Sequence, residues 1–411
     1  MQKRRTKRWE EDVADASGTK IGTTSEARSG VRKARKQRES GIELLRIIAM
    51  LLIVSHHMVV HNVFQVAGEP VSARRLILQQ FLCVPGKIGI ALFFMISAWF
   101  MADRVPTTKS VFRKAWIMER ELLFWSVFIF IVQLVMNPAI PSVDTVLSTL
   151  LPTTRRVWWY ATAYMVFLLL SPFIIQGLRS LGRKRHLQCC LAMVFLWGVL
   201  YAVPGSDTNI GMNVVGFVYV FALISYYKWY GTPLRTSTAW IMTVAGTVFI
   251  VAWDVIVTVG LQGKPVESEV LAMVEREWSI PVLIVSFGLF ALFRRLRFRS
   301  AIVNRCAAAT FGVYLITDHS FMRSLLWTRY FDMSRFYSNH SCLGVCARFL
   351  IIVLGVFVAA MLLDMLRSAL FSCTIDRHRG RLFDKAWTAV ARWVNGRAEQ
   401  EERIQTSAVP Q

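Results

Sequence analysis

The chain has 411 residues, of which 55% are hydrophobic and 18% charged, whereas a soluble domain carries roughly a quarter charged residues. With a mean hydropathy of +0.44, this excludes an ordinary soluble globular protein. The net charge of +22 invites a nucleic-acid reading, which the placement of the charge argues against.

Residues 1–38 come first. They are polar and basic, contain Ser, Thr and Gly, and show no periodicity, which predicts a disordered cytoplasmic arm. Its cations (Lys3, Arg4, Arg5, Lys7, Arg8, then Arg32, Lys33, Arg35, Lys36 and Arg38) suit anionic lipid headgroups. The arm does not resemble a cleavable signal, so the first apolar run is expected to be a true span. Apolar runs follow at about 41–62, 80–102, 119–136, 157–176, 187–203, 211–228, 239–261, 278–293, 306–326 and 343–363. Most approach the ~20 residues needed to cross a hydrocarbon core; the fifth and eighth are short. In lipid such segments must be helices, because the backbone has no other hydrogen-bond partner. After residue 365 comes a tail that is basic and then acidic near Glu399, Glu401 and Glu402. In it, Leu382, Phe383, Ala386, Trp387, Val390, Trp393 and Val394 fall at helical spacing. An amphipathic helix on the inner leaflet is expected there. The expected fold is therefore an all-α, polytopic membrane protein of about ten transmembrane helices. Residues 39–365 form the membrane domain, and 366–411 the tail.

Charge placement sets the orientation. With the N-terminus inside, 36 of the 48 Lys and Arg fall on the cytoplasmic side and 10 on the outer side, while Arg46 and Lys87 lie within spans. This is the positive-inside pattern, and it places both termini in the cytoplasm. The charge is thus accounted for by the bilayer, and no nucleic-acid partner is expected.

Ionisable residues inside spans are costly and mark function by default. The first span holds Glu43, Arg46, His56, His57 and His61. Eleven residues separate Arg46 from His57, which at ~100° per residue returns to within about 20° of the same face. At 1.5 Å per residue His57 lies about 16 Å deeper, and His61 is one further turn along. One face thus runs from a cation near the cytoplasm to imidazoles past mid-membrane, a rail from an anionic cytoplasmic donor to a buried base. For any one of these residues the plain alternative is structural: a satisfied interior histidine, or an arginine snorkelling to headgroups. Other intramembrane polar groups are Lys87, Ser97, Asp254, Asp318 and His319. Lys87 either binds phosphate or reaches the interface. Asp254 is expected to be neutral or paired, with Arg46 or Lys87 as candidate partners. Asp318 and His319 are divided between structural pairing and catalysis. Cys342, Cys346 and His340 gather in one external loop, a cluster that is ordinarily incidental, and no metal site is assigned.

Several stretches resemble acyltransferase family 3. The run from Ile42 to His57 is similar to that family's opening, in which an acidic residue precedes an Arg by three and a His follows at Arg-x10-His; here these are Glu43, Arg46 and His57. Gly86 to Ser97 resembles the family's Phe-Phe-x-x-Ser-Gly segment, with Ala98 in place of the glycine. Trp158 to Tyr164, continuing to Ser171 and Pro172, resembles its Trp-rich fourth span. Thr310 to Ile316 resembles its Tyr-Leu-Ile-His signature, with Thr317 in place of the histidine and His319 two residues later. The Arg-x-x-Arg near the third span is not intact; Arg113, Lys114 and Arg120 are the nearest candidates.

The resemblance implies a bacterial cell-membrane enzyme that moves an acyl group, usually acetyl, from acyl-CoA to a carbohydrate hydroxyl of the envelope. It implies no tightly bound cofactor and no metal. Arg46, Lys87, Arg113, Lys114 and Arg120 would meet the phosphates of CoA. His57 would be the base, or would itself carry the acyl group, with Glu43 holding Arg46 and with His56 and Asp318 as further catalytic candidates. His61, Trp159, Tyr164, Tyr314 and His319 would line the acceptor's place. The competing reading is a transporter or flippase for a lipid-linked glycan, which would use the same ionisable stripe as a path. The internal symmetry common in transporters is not seen. A membrane scaffold would have no use for Arg46, His57 and His61 on one face.

Overall fold

Apolar segments that satisfy their own backbone become helices, and every regular element among the described residues is helical. The computed structural model describes residues 40–62, 70–79, 84–138, 140–203, 214–264, 267–375 and 380–393. The basic arm at 1–38 and the acidic end of the tail lie outside the described residues.

In chain order the helices are α1 (Ser40–Val60), α2 (Ala73–Leu78), α3 (Pro85–Met101), α4 (Thr108–Met136), α5 (Val143–Leu150), α6 (Trp159–Ser180) and α7 (Gly182–Val194). Then come α8 (Val214–Tyr230), α9 (Thr236–Gly260), α10 (Glu267–Glu275), α11 (Ile280–Phe293), α12 (Ala301–Asp318), α13 (Ser320–Arg323), α14 (Ser334–Asn339) and α15 (Cys342–Cys373). A last helix, α16, covers 381–393. α7 continues through a π turn and a 3-10 turn, Phe195–Val199 and Leu200–Ala202, and α13 through a π segment, Ser324–Tyr330.

Among the described residues, each predicted apolar run is mostly helical. By length and composition α1, α6, α9 and α15 are able to cross a membrane, and α3, α8 and α11 are shorter apolar helices. Two helices outrun their apolar runs furthest: α4 starts at Thr108, capped by Thr107, and α15 continues to Cys373. Their extra turns carry Lys, Arg, Met, Ala and Leu, which favour helix whatever the solvent.

α1 is the central element, packed against α3, α11, α12 and α15. Its most apolar window is 61% buried, against 22% for α9, so α1 is enclosed by protein while α9 turns most of its surface outward. Close approach of α3 to α1 depends on glycine. A Cβ on Gly86 would collide with His56, and one on Gly89 with the Ala49 carbonyl. At the N-terminal end of α4, Lys109 pairs with Asp384 at 2.9 Å and Phe112 meets Trp387 at 5.7 Å, which docks α16. α16 buries Phe383 and leaves Leu382, Val390 and Trp393 exposed.

Candidate active site

On α1 the spacing i, i+4, i+7, i+11 puts Arg46, Met50, Ile53 and His57 on one face. At the N-terminal end Arg46 is bonded to Glu43 at 2.5 Å, an i, i+3 pair whose carboxylate is buried. Met50, Ile53 and His57 wall a small cavity, completed by Ile90 and Phe93 of α3, by Trp159 and Tyr160 of α6 and by Tyr314 of α12.

His57 sits at the far end of this cavity and is buried. Its Nε2 is 3.2 Å from Oδ1 of Asp318, and its Nδ1 is 3.5 Å from the Thr317 hydroxyl, which donates to the Val313 carbonyl at 2.9 Å. Arg323 donates to the same Asp318 oxygen through Nε at 3.1 Å and through a second guanidinium nitrogen. Oδ2 of Asp318 and the Tyr314 hydroxyl are both buried and have each other as neighbours, without a close hydrogen bond to any other group. The ring of His57 is 5.7 Å from that of His61, 6.3 Å from His56 and 6.4 Å from Tyr314. A buried imidazole held by a carboxylate beside a cavity is the arrangement of a general base or nucleophile.

The other expected residues fall in different places. His56 packs against Gly86, turned toward α3 rather than into the cavity lining. Lys87, level with His56, is at the opposite end of α1 from Arg46, and its ammonium is 2.7 Å from Glu277. Trp159 and Tyr314 line the cavity, while the Tyr164 hydroxyl reaches Met101 Sδ at 3.7 Å. His319 caps α13 by accepting from the Phe321 amide, and it rests against Trp158 at 5.5 Å. On α4, Arg113 extends toward Gly380, Lys114 stands near Arg104, and Arg120 edges an apolar groove with Phe371 and Ile375. Asp254 accepts a hydrogen bond from Gln79 at 2.9 Å, a partner not anticipated from the sequence, where Arg46 and Lys87 were the candidates. Cys342 and Cys346 are free, and among the described residues no cluster of three or more His, Cys, Asp or Glu is placed to hold a metal.

A family model described as an acyltransferase domain matches residues 39–365, most of the chain. The chain belongs to acyltransferase family 3. It is accordingly an acyltransferase, and its apolar helices make it a membrane protein. No curated protein and no solved structure gave a match. The stretch matched to acyltransferase family 3 runs from just before α1 into α15, so it contains the cavity, Arg46, His57 and Asp318 and leaves out α16.

Sequence reasoning passed over Thr317 and Arg323 as members of the site. The signal for Arg323 was present, since an arginine inside the run 306–326 is itself costly. Tyr160 carried no signal beyond its place in a Trp-rich segment. Outside the spans, the Lys109 ammonium beside Asp384 holds that carboxyl below its ordinary value.

Proposed function

We propose that the protein transfers an acyl group, acetyl in the simplest case, from cytoplasmic acyl-CoA to a hydroxyl of a cell-envelope or exported carbohydrate. The bundle would lie in a bacterial cell membrane with both termini inside. The observation that carries this reading is the single α1 face on which a fixed cation, a cavity wall and a buried His57 follow in order. CoA is a cytoplasmic polyanion with a long narrow arm. Arg46, pinned by Glu43, suits its phosphates, and Arg113, Lys114 and Arg120 add positive charge near the same side of the bundle. The arm would pass Met50 and Ile53 and bring the thioester to His57.

At that point the chemistry needs a base. Asp318 sits at Nε2, so that nitrogen carries the ring proton and Nδ1 offers the lone pair. The acceptor oxygen bonds to the thioester carbonyl carbon as its proton passes to Nδ1. The C–S bond then breaks, and the departing thiolate takes that proton. Asp318 orients the ring and stabilises the transient imidazolium, and Arg323 holds Asp318. Tyr314, His61 and Trp159 surround the reacting atoms.

The test is the O-acyl ester content of envelope glycans, read by mass spectrometry and NMR. Three strains are compared: a deletion, the deletion carrying wild type, and the deletion carrying His57→Ala at matched membrane abundance. The ester should vanish on deletion, return with wild type and stay absent with His57→Ala. Unchanged ester in all three strains, with glycan accumulating on the wrong side of the membrane, would replace this reading with a flippase.

A further inference from the structure

Four residues bring polar atoms to the wall of the small cavity: His57, Trp159, Tyr160 and Tyr314. Nε2 of His57 faces Asp318, and the Thr317 hydroxyl behind it is spent on the Val313 carbonyl. The Tyr314 hydroxyl has Oδ2 of Asp318 beside it. Trp159 is partly exposed. Tyr160 differs from all of these. The residue is 6% exposed, and its hydroxyl is buried with no hydrogen-bond partner.

A buried donor left unmatched is costly, and a phenylalanine would fill the same space without that cost. The Tyr160 ring is also fixed. It packs against Phe217 at 5.1 Å, Tyr314 at 5.9 Å, Phe93 at 6.0 Å and Tyr164 at 6.5 Å between ring centres, which leaves it little room to swing its hydroxyl elsewhere. A fixed donor with nothing to bind in the resting protein suits a charge that appears only during the reaction. Acyl transfer makes such a charge. As the acceptor oxygen bonds to the thioester carbonyl carbon, the C=O π pair moves onto the carbonyl oxygen, which stays negative until the C–S bond breaks.

We propose that the Tyr160 hydroxyl is the oxyanion donor of the transfer. It donates a hydrogen bond to the carbonyl oxygen as negative charge gathers there. It keeps its own proton when the C=O bond re-forms and the thiolate departs. The proposal rests on the acyl-transfer reading and adds a catalytic residue to it. The test compares full-length wild type and Tyr160→Phe in membranes of the deletion strain, with labelled acetyl-CoA. Tyr160→Phe keeps the packed ring and removes only the donor. It should lower kcat for thioester consumption by about 10²-fold or more. KM for acetyl-CoA should stay within about twofold, since the contact forms in the transition state. The melting temperature should hold or rise, because an unmatched buried hydroxyl has been removed. A second readout needs no turnover. In the ketone analogue of acetyl-CoA, a CH2 replaces the thioester sulfur, and the carbonyl carries 13C. The infrared carbonyl stretch of the bound analogue should lie at lower frequency in wild type than in Tyr160→Phe. Equal frequencies in the two proteins, no bound ketone band in wild type, or a lowered melting temperature of the variant overturns the proposal. His57-dependent consumption that Tyr160→Phe leaves at the wild-type rate sinks the role of Tyr160 alone. No consumption by wild type sinks the acyl-transfer reading and this role with it.

Discussion

Two buried aspartates, Asp318 and Asp364, are made alike and used differently. Asp364, on α15, spends both oxygens: Oδ1 accepts from Trp125 Nε1 at 3.2 Å and Arg367 Nε at 2.6 Å, and Oδ2 accepts from the same guanidinium at 3.2 Å. Arg367 passes on to Glu121 at 2.9 Å. Gly312 lies so close that a Cβ there would collide with the Asp364 carboxylate. Asp318 takes His57 and Arg323 on Oδ1 and leaves Oδ2 buried with only the Tyr314 hydroxyl beside it. Its neighbour His57 opens on a cavity. A buried polar group that lacks a partner is expensive and calls for an explanation, whereas a fully bonded one explains itself. Asp364 belongs to the architecture that joins α4, α12 and α15. In the mechanism proposed above, Asp318 belongs to the reaction.

That contrast is open to being broken. His57→Ala should lower acyl transfer per folded molecule by about 10³-fold, within the range for losing a general base. Asp318→Asn should lower it by about 10²-fold, with the melting temperature close to wild type, since the amide keeps the side chain's shape. Asp364→Asn should do the reverse. Breaking a buried ion pair costs about 3 kcal/mol of stability, read from thermal unfolding in detergent, while the rate per folded molecule holds. If Asp364→Asn silences a well-folded protein, or Asp318→Asn unfolds it, the two roles have been assigned the wrong way round. Gly312→Ala should follow Asp364→Asn with a smaller loss, about 1–3 kcal/mol from overpacking.

The smallest effect concerns α16. Lys109 holds the Asp384 carboxyl below its ordinary value of 3.8. A lowered folded pKa stabilises above the ordinary value and is lost as pH falls through the lowered one. Trp387 fluorescence should therefore be flat from pH 8 to 5 and shift only below about pH 4. A shift near pH 6 would mean that another group docks the helix.

The sequence made some of this plain and hid the rest, for a physical reason. Arg46 and His57 share a helix, so an eleven-residue spacing was enough to place them on one face. Met50 and Ile53, read only as apolar, are the cavity wall between them. The apolar runs announced their helices because lipid leaves no other solution. Contacts between helices left no such trace. His57 meets Asp318 across most of the chain, Lys87 meets Glu277, and Asp254 meets Gln79. Helical periodicity gives a residue's direction on its own helix and nothing of its neighbour. The helix ends of α4 and α15 were misplaced for a related reason, since hydropathy marks where lipid ends and not where the helix does.

The most direct test is a single-turnover assay in membranes with acyl-labelled CoA, comparing wild type and His57→Ala at equal amounts of folded protein. Wild type should consume the thioester and pass the label to a carbohydrate, while His57→Ala leaves the thioester intact. Thioester consumption at the wild-type rate by His57→Ala would contradict the role given to His57 at the end of the cavity.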